Sequence, residues 1–211
     1  MSQFIHVKPE DIEAESFRII QSILDEKGIV LDQAQAPIIK RVIHTTADFS
    51  FTETLTFSQG AIEKAVSLIK NKATIVTDTN MGLAGINKTR LTKYGCTCRC
   101  FMAEPDVAAE AKERGVTRAT VSMERAFDLA GPVIFAIGNA PTALIEINRI
   151  MTEQGRKPDF IIGVPVGFVN VEYSKELFRG SGVPYIINFG RKGGSNVAAA
   201  IVNALSLICT S

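Results

Sequence analysis

The stretch PVIFAIGNAPTALIEINRI, residues 132–150, decides the fold class. Its first part, PVIFAIG, is a short continuous apolar run and reads as a strand buried on both faces. Small and polar residues follow at once in NAPTAL (139–144), and PTALIEINRI reads as a helix. The same alternation extends outward in both directions. Upstream, SQGAIEKAVSLIKNK (58–72) and DVAAEAKERG (106–115) are predicted helices, and ATIVTD (73–78) and GCTCRCF (95–101) predicted strands. Downstream, DFIIGVP (159–165) and YIINF (185–189) read as strands, and SNVAAAIVNALSLI (195–208) as the closing helix. Short apolar runs alternating with helices predict an α/β three-layer sandwich. Its central sheet is expected to be largely parallel, with a mixed sheet also allowed, and helices on both faces.

The 211 residues suit one domain spanning 1–211, with no internal repeat or low-complexity linker. Apolar residues make up 46% and formal net charge is +1. A nearly neutral chain has no overall field to hold nucleic acid or an anionic membrane, so any basic site must be local. No segment reaches the length of a membrane span, and the polar, acidic start MSQFIHVKPEDIEAE does not read as a signal peptide. A cytoplasmic location is expected. Cys96, Cys98 and Cys100 alternate in CTCRC, which sends all three to one face of a strand. Zinc sites want wider spacing, so the reading is reduced thiols in a core, with Cys209 the fourth cysteine.

Ligands of such sheets sit beyond the carboxyl ends of the strands, where polar and glycine-rich residues gather here. These are TNMGLAGIN (79–87), NAPTAL, VGFVN (166–170) and GRKGGSN (190–196). In the last, Gly193 and Gly194 let the backbone come close to a ligand, a helix begins, and Arg191 and Lys192 add positive charge: an anion cradle. It is not a P-loop, and no dinucleotide fingerprint is present. No cofactor and no protein-bound metal is expected.

The N-terminal helix opens at Pro9 and ends at Gly28, with Ile12, Ser16, Ile19, Ile20 and Ile23 on one face. Ser16 is the polar member of that stripe; it reads either as a serine bonded one turn back or as a hydroxyl offered to a ligand. A second helix runs from Pro37 into RVIHTTADF (41–49), and the threonines disfavour its continuation past Thr45. Arg41 and His44 share a face there. His44 reads equally as a proton donor near neutral pH or as a structural ring bonded to Asp48 or a carbonyl. The other histidine, His6, precedes the first helix, where chain starts are usually solvated, and is expected to take no part.

The segments EAESFRII (13–20), IIKRVIHTTADF (38–49), TDTNMGLAGINK (77–88), GNAPTAL (138–144), GVPVGFVNVEYSKE (163–176) and GRKGGSNVAAAIVNAL (190–205) together resemble the precorrin-8X methylmutase family of cobalamin biosynthesis. VNVEYSKE departs from the family's commoner small-residue run before an ESK-like element. The resemblance implies an isomerase that moves a methyl group from C-11 to C-12 of a corrin precursor, by a 1,5-sigmatropic shift without a dissociable cofactor. It implies that His44 is the general acid protonating a ring nitrogen. It further implies that Ser16, Arg41 and, in GVTRAT, Arg118 contact the substrate, and that the enzyme is a homodimer with sites near the interface. Arg191, Lys192, Gly193 and Gly194 would then meet the carboxylate rim. HTTADF and TDTNMGLAGINK look more like the cobalt branch of the pathway; the cobalt would belong to the substrate. Two rival readings are a corrinoid carrier without chemistry and a phosphate-sugar or nucleotide enzyme using GRKGGSN.

Overall fold

The computed structural model describes residues 8–210, so His6 lies outside the described residues. The apolar runs become β2 (Thr74–Thr77), β3 (Thr97–Arg99), β4 (Val133–Ile137), β5 (Phe160–Gly163) and β6 (Tyr185–Asn188). A further strand, β1 (Leu55–Phe57), had no counterpart in the sequence reading. It is three residues long, and its pairing with β6 is what makes it a strand. The six form one sheet in the order β1-β6-β5-β4-β2-β3. β2 to β6 pair in parallel, and β1 lies antiparallel on β6. The sheet is therefore mixed through a single edge strand.

Alternation along each strand divides the core in two. Ile75, Ile134, Ile162 and Ile186 face one layer. It is built from α1 (Ile12–Glu26), α2 (Ala36–Thr46), α3 (Phe51–Thr54), α4 (Ala61–Lys70) and α11 (Ser195–Ile208), with Leu91 of α6 (Lys88–Thr92). Val76, Phe135, Ile161 and Ile187 face the other layer, of α7 (Pro105–Arg114), α8 (Arg118–Phe127) and α9 (Pro141–Gln154). Ile162 is wholly buried in the first core. Truncating such a residue to alanine costs about 2–5 kcal/mol.

Several helices differ from expectation, among them the short α3 and α6, which had no counterpart in the sequence reading. The polar, glycine-rich stretch 79–87 contains α5 (Asn80–Gly85), capped by Thr79, whose Oγ1 accepts from the Gly82 amide at 3.0 Å. Its glycines hide it; Gly85 is required because a Cβ there would stand 2.9 Å from the Ala199 Cβ of α11. α8 follows its own cap, Thr117. α2 does not stop at Thr45 but runs to Thr46. The threonines find partners one turn back: Thr45 Oγ1 donates to the Arg41 carbonyl and Thr46 Oγ1 to that of Val42, at 2.9 and 2.8 Å. Ala47 then ends the helix in the left-handed region, at φ 55°.

The cysteines separate. Cys96 and Cys98 join the α1–α11 core, as does Cys209, while Cys100 lies past the end of β3. Burial pushes the Cys96 thiol up to about 11 and raises Cys98, Cys100 and Cys209 as well, so the thiolate is disfavoured at all four. No helix among the described residues is long and apolar enough to cross a membrane.

Candidate functional site

In a doubly wound sheet the natural crevice lies where the strand order reverses, here between β2 and β4. This chain fills it. The Asp78 carboxylate, buried at the end of β2, accepts from the amides of Gly138, Asn139 and Ala140. Its burial raises its pKa, and the three amide donors pull the other way. Gly138 is pressed so close to α11 that a Cβ would lie 2.6 Å from the Ser195 Cα. Thr79 and Ser195 close the gap with hydroxyls 2.7 Å apart. A large ligand must therefore use the surface to the side of this seam.

Such a surface exists between α1 and α2. The stripe on α1 is only half covered: Ile20 and Leu24 are buried, while Ile12 and Ile19 are 53% and 40% exposed. The uncovered part borders a hollow of about 250 Å³ lined by Ser16, Ile19, Ile20, Ile23, Ile43, His44, Ala47 and Phe49. Ser16 and His44, far apart in sequence, thus share one apolar wall. Neither hydrogen-bonds to another side chain or carbonyl among the described residues. The structural role considered for His44 would have tied it to Asp48 or to a carbonyl. Instead the Asp48 carboxylate is taken by the Lys192 ammonium at 2.6 Å and the Ser50 amide at 2.9 Å. Those contacts hold the Asp48 pKa down at about 2, with the Lys192 bond the largest cause.

The His44 ring is exposed and stacks on Phe17, centroids 5.3 Å apart and planes 17° from parallel. Arg41, one turn earlier on α2, lays its guanidinium over the same ring at 4.8 Å and pairs with Glu13. Phe17 thus joins the His44 and Arg41 side chains, a role the sequence reading missed although the residue sits in EAESFRII. A second hollow of about 340 Å³ includes Phe17, Lys40 and Arg41.

The loop 190–194 forms the neighbouring wall, linked to the end of α2 through Lys192 and Asp48. Arg191 pairs with Glu172 at 2.9 Å. Gly193 must be glycine for packing: a Cβ would sit 2.0 Å from the Val164 carbonyl oxygen. At Gly194 a Cβ would meet the Asn196 side chain at 2.4 Å. Beside this loop Phe168 and Val169 stand open to solvent at 83% and 78%, and Arg191 lies over the Phe168 ring at 5.8 Å. Glu172 belongs to the run that departs from the resembled pattern, so that departure places a carboxylate on Arg191. Arg118 stands apart. It opens α8 in the opposite helical layer and donates to the Met102 carbonyl at 3.4 Å. Within one chain it shares no wall with His44.

Residues 11–208 match the family model described as precorrin-8X methylmutase. The chain is 42% identical to the cobalt-precorrin-8 methylmutase of Priestia megaterium, across 97% of this chain and 90% of that one. It is 43% identical to the cobalt-precorrin-8 methylmutase of Salmonella typhimurium, across 94% of each. The solved structure of a precorrin-8X methyl mutase from Thermus thermophilus superposes with a TM-score of 0.84 at 35% identity, covering 95% of this chain and 98% of that one. Matched along nearly its whole length in sequence and in fold, the chain belongs to the precorrin-8X methylmutase family.

Proposed function

We propose that the α1–α2 hollow and the adjoining loop 190–194 are where this isomerase of cobalamin biosynthesis rearranges its substrate. The reaction moves a methyl group from C-11 to C-12 of the corrin precursor. One observation carries the siting: Ser16 and His44 converge on a single apolar hollow with their polar atoms uncommitted. A conjugated macrocycle offers a broad apolar face and a rim of carboxylates. The isoleucines of the hollow, with the open Phe168 and Val169, suit the face, and Arg41, Arg191 and Lys192 suit the rim. His44, in its charged form, donates a proton to a ring nitrogen. That proton draws electron density from the conjugated system and eases migration of the methyl group. Ser16 contacts the ring beside it, and Gly193 and Gly194 bring backbone to the rim.

Arg41 and Arg191 already hold Glu13 and Glu172. Substrate carboxylates therefore exchange for protein carboxylates at the rim, which keeps the binding energy modest. The names of the relatives in Priestia megaterium and Salmonella typhimurium support a cobalt-bearing substrate. The hollow is small for a macrocycle, which supports a homodimer whose second chain helps to enclose it, and Arg118 acting from outside this wall. We place the enzyme in the cytoplasm and treat residues 1–211 as one domain. The test is to mix the purified protein with cobalt-precorrin-8 or its metal-free form and follow the visible spectrum. A spectral change to the corrin chromophore supports the reading, and an unchanged spectrum with both substrates refutes it.

A further inference from the structure

Lys175, on α10 (Val171–Glu176), is completely buried, which is rare for a lysine without a carboxylate partner. Its ammonium donates to the carbonyls of Gly190 and Lys192, at 2.7 and 3.0 Å. The Lys192 carbonyl also accepts from Asn188 Nδ2 at 2.9 Å, and Asn188 Oδ1 accepts from Thr54 Oγ1 at 2.6 Å. The alternate peptide planes 190–191 and 192–193 are thus fixed from beneath, and the Gly167 amide donates to the Arg191 carbonyl between them at 3.2 Å. In a trans peptide the carbonyl and the following N–H point in opposite directions. Carbonyls of Gly190 and Lys192 turned inward send the amides of Arg191 and Gly193 away from the ammonium. Neither amide donates to any group among the described residues, whereas the Gly194 amide is spent on the Val164 carbonyl. Free amides on alternate residues of one loop, beside basic side chains, can together donate to an anion.

We propose that Lys175 is a positioning residue that holds the loop 190–194 as a carboxylate cradle, with the Arg191 and Gly193 amides receiving one rim carboxylate of the substrate. This rests on the siting of the reaction given above. The ammonium itself does not touch the substrate. It acts through the loop it holds. Desolvation draws the Lys175 pKa down to about 8, with the Glu172 charge opposing, so the charged form still prevails at pH 7. Bonds from a charged donor are the stronger kind, as a loop fixed against a ligand's pull requires.

The test compares Lys175→Met, which fills the space without donors, with Lys175→Gln, which keeps two N–H donors on a shorter stem. Each is assayed with cobalt-precorrin-8 beside wild type, with circular dichroism and a melt to establish the folded fraction. Lys175→Met should raise KM about tenfold or more while leaving kcat within about threefold, because an interaction uniform between ground and transition states is lost. Lys175→Gln should recover part of that loss. Should Lys175→Met fail to fold, a raised KM at unchanged kcat in Lys175→Gln supports the proposal. A folded variant with wild-type KM, or a loss confined to kcat, overturns it. Absence of turnover by wild type would overturn the siting and this role together, whereas wild-type turnover with unaffected variants removes Lys175 alone.

Discussion

Replacing His44 by asparagine separates a chemical role from a packing role, because the structure assigns the two very different sizes. Among the described residues the ring is exposed, has no hydrogen-bond partner and makes one ring contact, the stack on Phe17 at 5.3 Å. Losing such a stack costs about 0.5–1.5 kcal/mol. In a chain of this length each kcal/mol moves the melting temperature by about 2–4 °C, so the drop should be about 1–6 °C. A general acid is worth about 10²–10⁴ in rate. That equals about 2.7–5.4 kcal/mol of transition-state stabilisation. His44→Asn should therefore fold, bind cobalt-precorrin-8 with little change, and lose most of its turnover. The assay is the absorbance change at saturating substrate, with binding followed by spectral titration and stability by a calorimetric melt. If the variant isomerised its substrate at the wild-type rate, or if its melt fell far beyond the stacking loss, the proton-donor argument would be wrong.

Arg41→Ala should weaken substrate binding by about 1 kcal/mol, because the substrate carboxylate only takes the place of Glu13 on a partly exposed guanidinium; an unchanged titration would remove Arg41 from the site. The Asp48–Lys192 pair gives stability a pH signature. The folded Asp48 pKa of about 2 lies below its ordinary 3.8, so the contribution is present above pH 4 and is lost as pH falls towards 2. Melts of Lys192→Met should show a shallower decline in that window, and an identical decline would discount the pair. Turnover of the metal-free substrate should survive exhaustive dialysis against chelator, and its loss would require a metal in the reaction. Sedimentation should find a dimer; a monomer fully active at nanomolar concentration would rule out a shared enclosure.

The parallel strands β2, β4, β5 and β6 were legible because each lies in an apolar run and is four or five residues long, bounded by turn-forming residues. β1 was not, since its three residues become a strand only through the partner at Asn188 and Ile187. α5 was obscured by its two glycines, and the reason for Gly85 lies on α11, more than a hundred residues away. In the site, Ser16, Arg41 and His44 could be named from their motifs, and Ser16 and His44 do meet on one wall. Phe17 could not be assigned, because its part depends on the crossing of two helices. Lys175 and Asp78 were invisible for a related reason: their partners are main-chain atoms, which leave no mark on residue identity. The glycines at 193 and 194 were legible as close approaches, but the approach this chain shows is to Val164 and Asn196.

The half-covered first helix has a consequence in time. α1 rests chiefly on α2, held by Ile20 and Leu24, whereas α2 is seated on the central helix α11 through Ile38, Ile39, Val42 and Ile43. Elements anchored by few buried contacts open at lower free energy than the core. Amide protons of α1 should then exchange with solvent well before those of α2, so the wall bearing Ser16 and Phe17 is the hinged one and the wall bearing His44 the fixed one. A disc broader than the resting gap need not thread a rigid mouth. On the proposed siting it can enter during an excursion of α1 and be clasped as the helix settles back, while His44 keeps its place throughout.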